Sequence, residues 1–155
     1  MKTLITFFSA ERGVTAKVAR DLSEVLGADI FEIKPVDVYT SADLNWMNPL
    51  ARCNREHIGK KDVPVEGRVE NFGDYDLVLV GFPIWYGIAP NVVHTFCKDY
   101  DWSGKKIVAF ATSGGSGIGR TAEKLAPYCE GGEIIGAKLV HSAPEVKSWI
   151  DELNL

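Results

Sequence analysis

The sequence has little of what would assign it at a glance. Its three cysteines, Cys53, Cys97 and Cys129, are widely spaced and form no CxxC pair. An odd, scattered set builds neither a disulfide framework nor a zinc site, so they read as small buried hydrophobes of a reducing compartment. Positive charge is not in surplus either: 17 Lys+Arg face 21 Asp+Glu, for a formal net charge of −4. That balance disfavours nucleic acid, whose phosphates demand clustered Lys/Arg. No apolar run is long enough to span a bilayer. The N-terminal MKTLITFF is cut off by SAER with no small-residue cleavage site after it, so it reads as a first strand and not as a signal peptide. The expected location is cytoplasmic, without a membrane partner. Repeats and low-complexity segments are also missing.

What is present is an alternation. The 155 residues, 46% apolar and 25% charged, suit one globular domain with a sizeable core, expected to span 1–155. Short β-prone runs at Lys2–Phe8, Asp29–Ile33, Asp76–Phe82, Lys106–Ala111 and Glu133–Val140 read as strands buried on both faces. Between them lie helical stretches. Val14, Val18, Leu22, Val25 and Leu26 recur at helical spacing before Gly27. Ala89–Tyr100 follows with Pro90 in its first turn, then Ile118–Cys129, and Val146, Trp149, Ile150 and Leu153 mark a closing helix. Strands alternating with helices imply an α/β fold, a doubly wound five-stranded parallel sheet. The exception is Lys34–Val69, which shows no clear periodicity and strands Trp46 in its middle. A connection of that length is functional or hides short helices. It is expected to fold over the ligand pocket through Trp46 or Asn54.

Open parallel sheets bind ligands beyond the carboxyl ends of their strands. Three loops there are unusual. After the first strand, SAERGVTA (Ser9–Ala16) runs straight into a helix, whose free N–H groups and partial positive charge make an anion site. Ser9 and Thr15 add hydroxyls, Gly13 permits a tight reversal, and Arg12 either pairs with the anion or is a solvated surface side chain. The plain alternative is a turn in which Thr15 caps the helix. After the third strand, PIWYGIAP (Pro83–Pro90) sets Trp85 and Tyr86 on a short loop, against a flat partner or as an interface aromatic. After the fourth comes ATSGGSGIGRT (Ala111–Thr121).

That last stretch matches several motifs partly. As a P-loop it has Arg120 where lysine belongs and follows the wrong strand. As a dinucleotide fingerprint it also follows the wrong strand, and the next strand, EIIGAKLV, ends without the required acid. As a nucleophile elbow around Ser116 it lacks the final glycine. A small-residue loop, Thr112–Gly117, exposing backbone groups is what remains. A receiver domain is excluded by Phe8-Ser9 and Gly81-Phe82-Pro83, where acids are needed. Together the loops describe a ligand with a phosphate at one end and a flat polar ring at the other, the shape of FMN.

Three segments carry a resemblance. FFSAERGVTAKVA, DYDLVLVGFPIWYGIAP and IVAFATSGGSGIG resemble the first strand and phosphate loop, the third strand and flavin loop, and the fourth strand and loop of the flavodoxin-like family, specifically its short bacterial flavodoxin branch. The likeness covers nearly the whole chain and implies strand order 2-1-3-4-5 with FMN at the switch point, flavodoxin being the worked case of that order. It implies that Ser9, Gly13, Val14 and Thr15 hold the phosphate. Pro83, Ile84, Trp85, Tyr86 and Gly87 would line one side of the ring, and Thr112, Ser113, Gly114 and Gly115 would meet its polar edge. Two departures stand out: SAERGVT replaces the commoner S/T-x-T-G-x-T, and the third loop lacks the aromatic that electron carriers usually stack on the flavin. No catalytic side chain or metal is implied, since the flavin does the chemistry, and His94 and His141 read as structural.

The resemblance leaves three functions open. The first is a carrier of electrons between redox partner proteins, for which Asp74, Asp76, Asp99 and Asp101 are candidate docking charges. The second is an NAD(P)H-dependent FMN reductase of quinones or similar flat acceptors. The third is a non-enzymatic FMN-binding module.

Overall fold

The apolar runs become strands covered on both faces. The computed structural model describes residues 1–10, 13–40, 42–45, 47–59 (backbone alone at 58 and 59), 62–113 and 117–155. In chain order the elements are β1 (Thr3–Phe7), α1 (Val14–Leu26), β2 (Asp29–Glu32), β3 (Lys34–Pro35), α2 (Arg52–Gly59), β4 (Val65–Glu66), β5 (Leu77–Pro83), α3 (Asn91–Lys98), β6 (Lys106–Thr112), α4 (Thr121–Leu125), β7 (Glu133–Leu139) and α5 (Ala143–Glu152). The main sheet is parallel throughout, in the order β2-β1-β5-β6-β7. This is the expected 2-1-3-4-5, because the antiparallel pair β3–β4 stands apart as its own two-stranded sheet.

Side-chain alternation sorts the sheet into two cores. Val78, Val80 and Phe82 of β5 and Ile107, Ala109 and Ala111 of β6 face the layer containing α3, with Trp102 beneath them. Leu77 and Leu79 of β5, Val108 and Phe110 of β6, and Ile5 and Phe7 of β1 face α1 and α5, which pack on each other. Burying a side chain of this size stabilises the fold by roughly 1.5–3 kcal/mol each, so the central strands hold the molecule together.

Two helices differ from expectation. In α1 the buried face is Thr15, Ala16, Val18, Ala19 and Leu22, while Val14 and Val25 stand 54% and 48% exposed. Small residues let the helix lie close to the sheet, and the larger Val14 and Val25 fall outside that contact. The stretch expected as one helix over Ile118–Cys129 is five residues of α4 followed by a 3₁₀ turn, Ala126–Tyr128. Pro127 explains the break, since it lacks the N–H that an α-helix would need there. The segment Lys34–Val69 hides α2 and the β3–β4 pair. Among the described residues no helix is long and apolar enough to cross a membrane.

Candidate functional site

At the carboxyl ends of β1, β5 and β6 the three loops meet. In the first, Gly13 adopts φ 69° and its N–H donates to the Ala10 carbonyl at 3.0 Å, turning the chain into α1. Gly13, at the N-cap position, has no side chain to cap the helix. The Ser9 hydroxyl takes the Ala16 N–H at 3.2 Å, and among the described residues the Val14 and Thr15 N–H groups find no acceptor. A helix start with uncapped amides suits an anion. Thr15 is buried, and its hydroxyl lies 2.7 Å from that of Thr112 at the end of β6. The first and third loops are thus joined directly across the sheet.

The second loop begins inside β5 with Pro83. Ile84 is buried in the core and its N–H donates to the Thr112 carbonyl at 2.9 Å, so its side chain supports the loop from beneath. Trp85 and Ile88 then exchange N–H···O bonds of 3.0 and 3.2 Å around Tyr86 (φ 58°) and Gly87 (φ 76°). Positive φ at both central residues is a type I′ turn. Trp85 is half-buried, edge-on to Phe8 at 5.6 Å and to Tyr39 at 5.2 Å. Tyr86 is 43% exposed, and it leans on α2. Its hydroxyl donates to Asn54 Oδ1 with Cys53 Sγ at 3.5 Å, and its ring stacks on His57 at 4.0 Å. Burial and the neighbouring thiol push the Tyr86 phenol up, so it stays a donor. Burial pushes His57 down, towards neutral imidazole.

The third loop closes on the second. Arg120 N–H donates to the Gly87 carbonyl at 3.1 Å, and Gly119 (φ +57°) packs against the same residue. A Cβ at 119 would sit 2.2 Å from that carbonyl oxygen, so only glycine fits. Ser113 is exposed at the end of β6. Arg12, Gly114, Gly115 and Trp46 lie outside the described residues.

The structure therefore brings Ser9, Gly13, Val14, Thr15, Pro83, Ile84, Trp85, Tyr86, Gly87, Thr112 and Ser113 to one end of the sheet. It also adds residues that spacing alone did not point to: Tyr39, Cys53 and His57. Asn54 reaches the site through Tyr86. These come from the segment between β2 and β5, where Tyr39 donates its hydroxyl to Glu56 and Arg52 lies 4.0 Å over the Tyr39 ring and 2.9 Å from Glu56. The Tyr39 phenol is pushed up by burial and by the Glu56 carboxylate. Between α2 and the Trp85–Ile88 turn lies a shallow crevice, open to solvent and lined by Cys53, Glu56, His57, Trp85, Tyr86 and Asn91 among others. A tyrosine in a type I′ turn, where Asn is usual, was the one available sign that something outside the loop holds it.

The candidate docking charges lie elsewhere. Asp76 precedes β5, Asp101 precedes β6, and Asp99 follows α3, all at the amino ends of the strands. Asp76 receives the Lys2 N–H at 2.8 Å, tying the start of β5 to that of β1, and Asp101 receives the Ser103 N–H at 3.0 Å within a turn, so both have structural tasks. The seven residues of β5 separate Asp76 from the site, roughly 20 Å at strand rise. His94 is buried and stacks on Tyr128 at 4.4 Å, whereas His141 is exposed beside Glu145 at 3.4 Å.

Known proteins share this fold. The flavodoxin family model matches residues 2–153. A crystal structure of a protein from Bacteroides eggerthii DSM 20697 assigned as a flavoprotein is 36% identical, with a TM-score of 0.88, covering 99% of this chain and 98% of that one. Another from Bacteroides uniformis ATCC 8492, also assigned as a flavoprotein, is 34% identical, with a TM-score of 0.89 and 97% of each chain covered. A flavoprotein of Lactobacillus acidophilus NCFM, solved in complex with FMN, shares the fold at 24% identity, with a TM-score of 0.74, over 96% of this chain and 98% of that one. No curated protein matches in sequence. With the family match running from one end of the sheet to the other, the chain belongs to the flavodoxin family.

Proposed function

We propose that this protein binds FMN at the carboxyl end of the sheet and carries electrons between partner proteins. The observation that carries the cofactor assignment is the start of α1 beside Gly13, where the Val14 and Thr15 amides find no acceptor among the described residues, joined through the Thr15–Thr112 hydroxyl pair to the loops around Trp85. The donor set there is amide and hydroxyl, which suits a phosphate ester at a helix N-terminus. The Val14 and Thr15 amides with the Ser9 hydroxyl would hold the phosphate. If Thr112 donates to Thr15, the Thr15 hydroxyl keeps its own hydrogen for the anion. Trp85, Tyr86 and Gly87 would flank the ring, with Thr112 and Ser113 at its polar edge; Arg12, Gly114 and Gly115 belong to the same proposal. FMN, when bound, supplies the electron-accepting and electron-donating chemistry. The chain's own work is to orient the ring, exclude water from it and leave one edge accessible.

Family membership favours the carrier reading. A second reading, NAD(P)H-dependent reduction of quinones or similar flat acceptors, is favoured by a specific observation. The candidate docking acids Asp76, Asp99 and Asp101 sit at the far end of the sheet, while aromatic rings gather around the Trp85 turn. Fold alone does not choose between them. The test starts with the absorbance spectrum of purified protein before and after adding FMN, which is expected to gain a bound-flavin spectrum. Steady-state oxidation of NADPH with a quinone then separates the two: turnover supports the reductase, whereas reduction by a ferredoxin reductase without such turnover supports the carrier. A preparation that gains no flavin absorbance refutes both.

A further inference from the structure

Tyr86 occupies a position its residue type resists. A bulky side chain at φ 58° is disfavoured by contact between Cβ and the backbone, and type I′ turns prefer Asn-Gly. Burial does not explain it, because the residue is 43% exposed. Among the described residues its polar and ring contacts come from one element: Asn54 Oδ1, Cys53 Sγ at 3.5 Å and the His57 ring at 4.0 Å, all on α2. The same segment sends Tyr39 against Trp85 at 5.2 Å. A further bond ties α2 to the element beyond the turn, from Asn91 Nδ2 to the Glu56 carbonyl at 2.8 Å.

We infer that Tyr86 is a positioning residue: α2 clamps it and thereby fixes the Trp85–Ile88 turn in the pose that receives the cofactor ring. The inference rests on the proposed flavin site, and it gives the segment between β2 and β5 a task. That segment is the strut that sets the turn, working through phenol, thiol and imidazole.

The test uses the full chain in two arms. In the flavin-free arm, amide hydrogen exchange is followed at Trp85 and Ile88, whose mutual bonds close the turn. Tyr86→Phe keeps the ring and removes the hydroxyl. It is expected to speed exchange at those two amides about fivefold, the worth of one net hydrogen bond, with β5 and β6 amides and overall stability changing by no more than that. Asn54→Ala should do the same, and the double variant should be no worse than either single one. In the second arm, the FMN dissociation constant should rise about fivefold in Tyr86→Phe. Tyr86→Gly removes the clamp and the backbone strain together, and is expected to exchange faster than wild type. Unchanged exchange in Tyr86→Phe, additive effects in the double variant, or a Tyr86→Gly turn as protected as wild type would each overturn the clamp. Faster exchange with unchanged FMN affinity overturns its role towards the cofactor. A wild-type chain that takes up no FMN refutes the cofactor proposal instead, and the exchange arm still decides the clamp.

Discussion

Phe110 in β6 and Tyr86 in the turn after β5 are both aromatic, and they are held in opposite ways. Phe110 is fully buried among aliphatic side chains, with its ring over Gly81 of the neighbouring strand. Tyr86 is nearly half exposed and is held by a hydroxyl bond, a thiol contact and one stacked imidazole. The contrast extends to the regions they belong to. The central strands are bounded by apolar side chains on both faces, whereas the stretch from β3 to β4 carries Val36, Val38, Met47 and Leu50 in the open, at 59–78% exposure. The sheet is held by area removed from water. The segment that borders the site has a few apolar anchors, Tyr39, Val63 and Val69, and relies beside them on directed polar and ring contacts, each worth far less alone. A substitution in the sheet should therefore cost the fold, and one in the segment should cost the site.

The largest effect is expected in the sheet. Phe110→Ala should destabilise the chain by about 3–5 kcal/mol, from lost burial plus the cavity it leaves. Urea unfolding measures this, and an equal loss for Tyr86→Ala would break the comparison.

Next comes acid. Burial lowers the pKa of His94 to about 4, against an ordinary 6.5. Because the folded form binds its proton less readily, the unfolded chain holds more protons between those values, and stability rises with pH through that window. Stability should accordingly be lost as pH falls from about 6.5 towards 4, by up to about 3 kcal/mol. His94→Phe, which keeps a ring against Tyr128, should flatten the profile below pH 6.5. Burial lowers His57 in the same direction, so His57→Gln should flatten it less.

Thr112→Val tests the link between loops. Removing one hydroxyl leaves that of Thr15 buried without its partner, at a cost of about 1–3 kcal/mol. If the pair serves the phosphate, the variant should also lose part of its preference for FMN over riboflavin, measured by paired titrations. The smallest effect belongs to the exposed part of the segment: Leu50→Ala, at 78% exposure, should stay within about 0.5 kcal/mol of wild type. A larger shift in its urea midpoint would mean that this face is covered.

The same contrast explains what could be read in the sequence. DLVLVGF and KIVAFA announced strands because burial on both faces leaves an unbroken apolar run. Strand order followed only from the family resemblance. The face of α1 was misjudged at Val14 and Val25 because Thr15, Ala16 and Ala19 carry the contact, and small residues leave little hydrophobic signal. The helix RCNREHIG was invisible to periodicity, since its anchors are Arg52, Asn54, Glu56 and His57. At the site, the positions of Ser9, Gly13, Thr15 and Thr112 could be placed from loops following strands. Asn54 could be named from the length of its segment, but the parts played by Tyr39, Cys53 and His57 could not, because contacts 17 to 33 residues apart in sequence leave no local pattern. The acidic residues misled for a related reason: charge is legible in a sequence, but the end of the sheet on which it falls is not.

The most direct measurement is a fluorescence titration of FMN with flavin-free protein, run beside riboflavin. The account predicts that one equivalent of protein quenches FMN emission, and that riboflavin, lacking the phosphate, binds distinctly more weakly. Flavin emission unchanged at saturating protein, or riboflavin held as tightly as FMN, would contradict it.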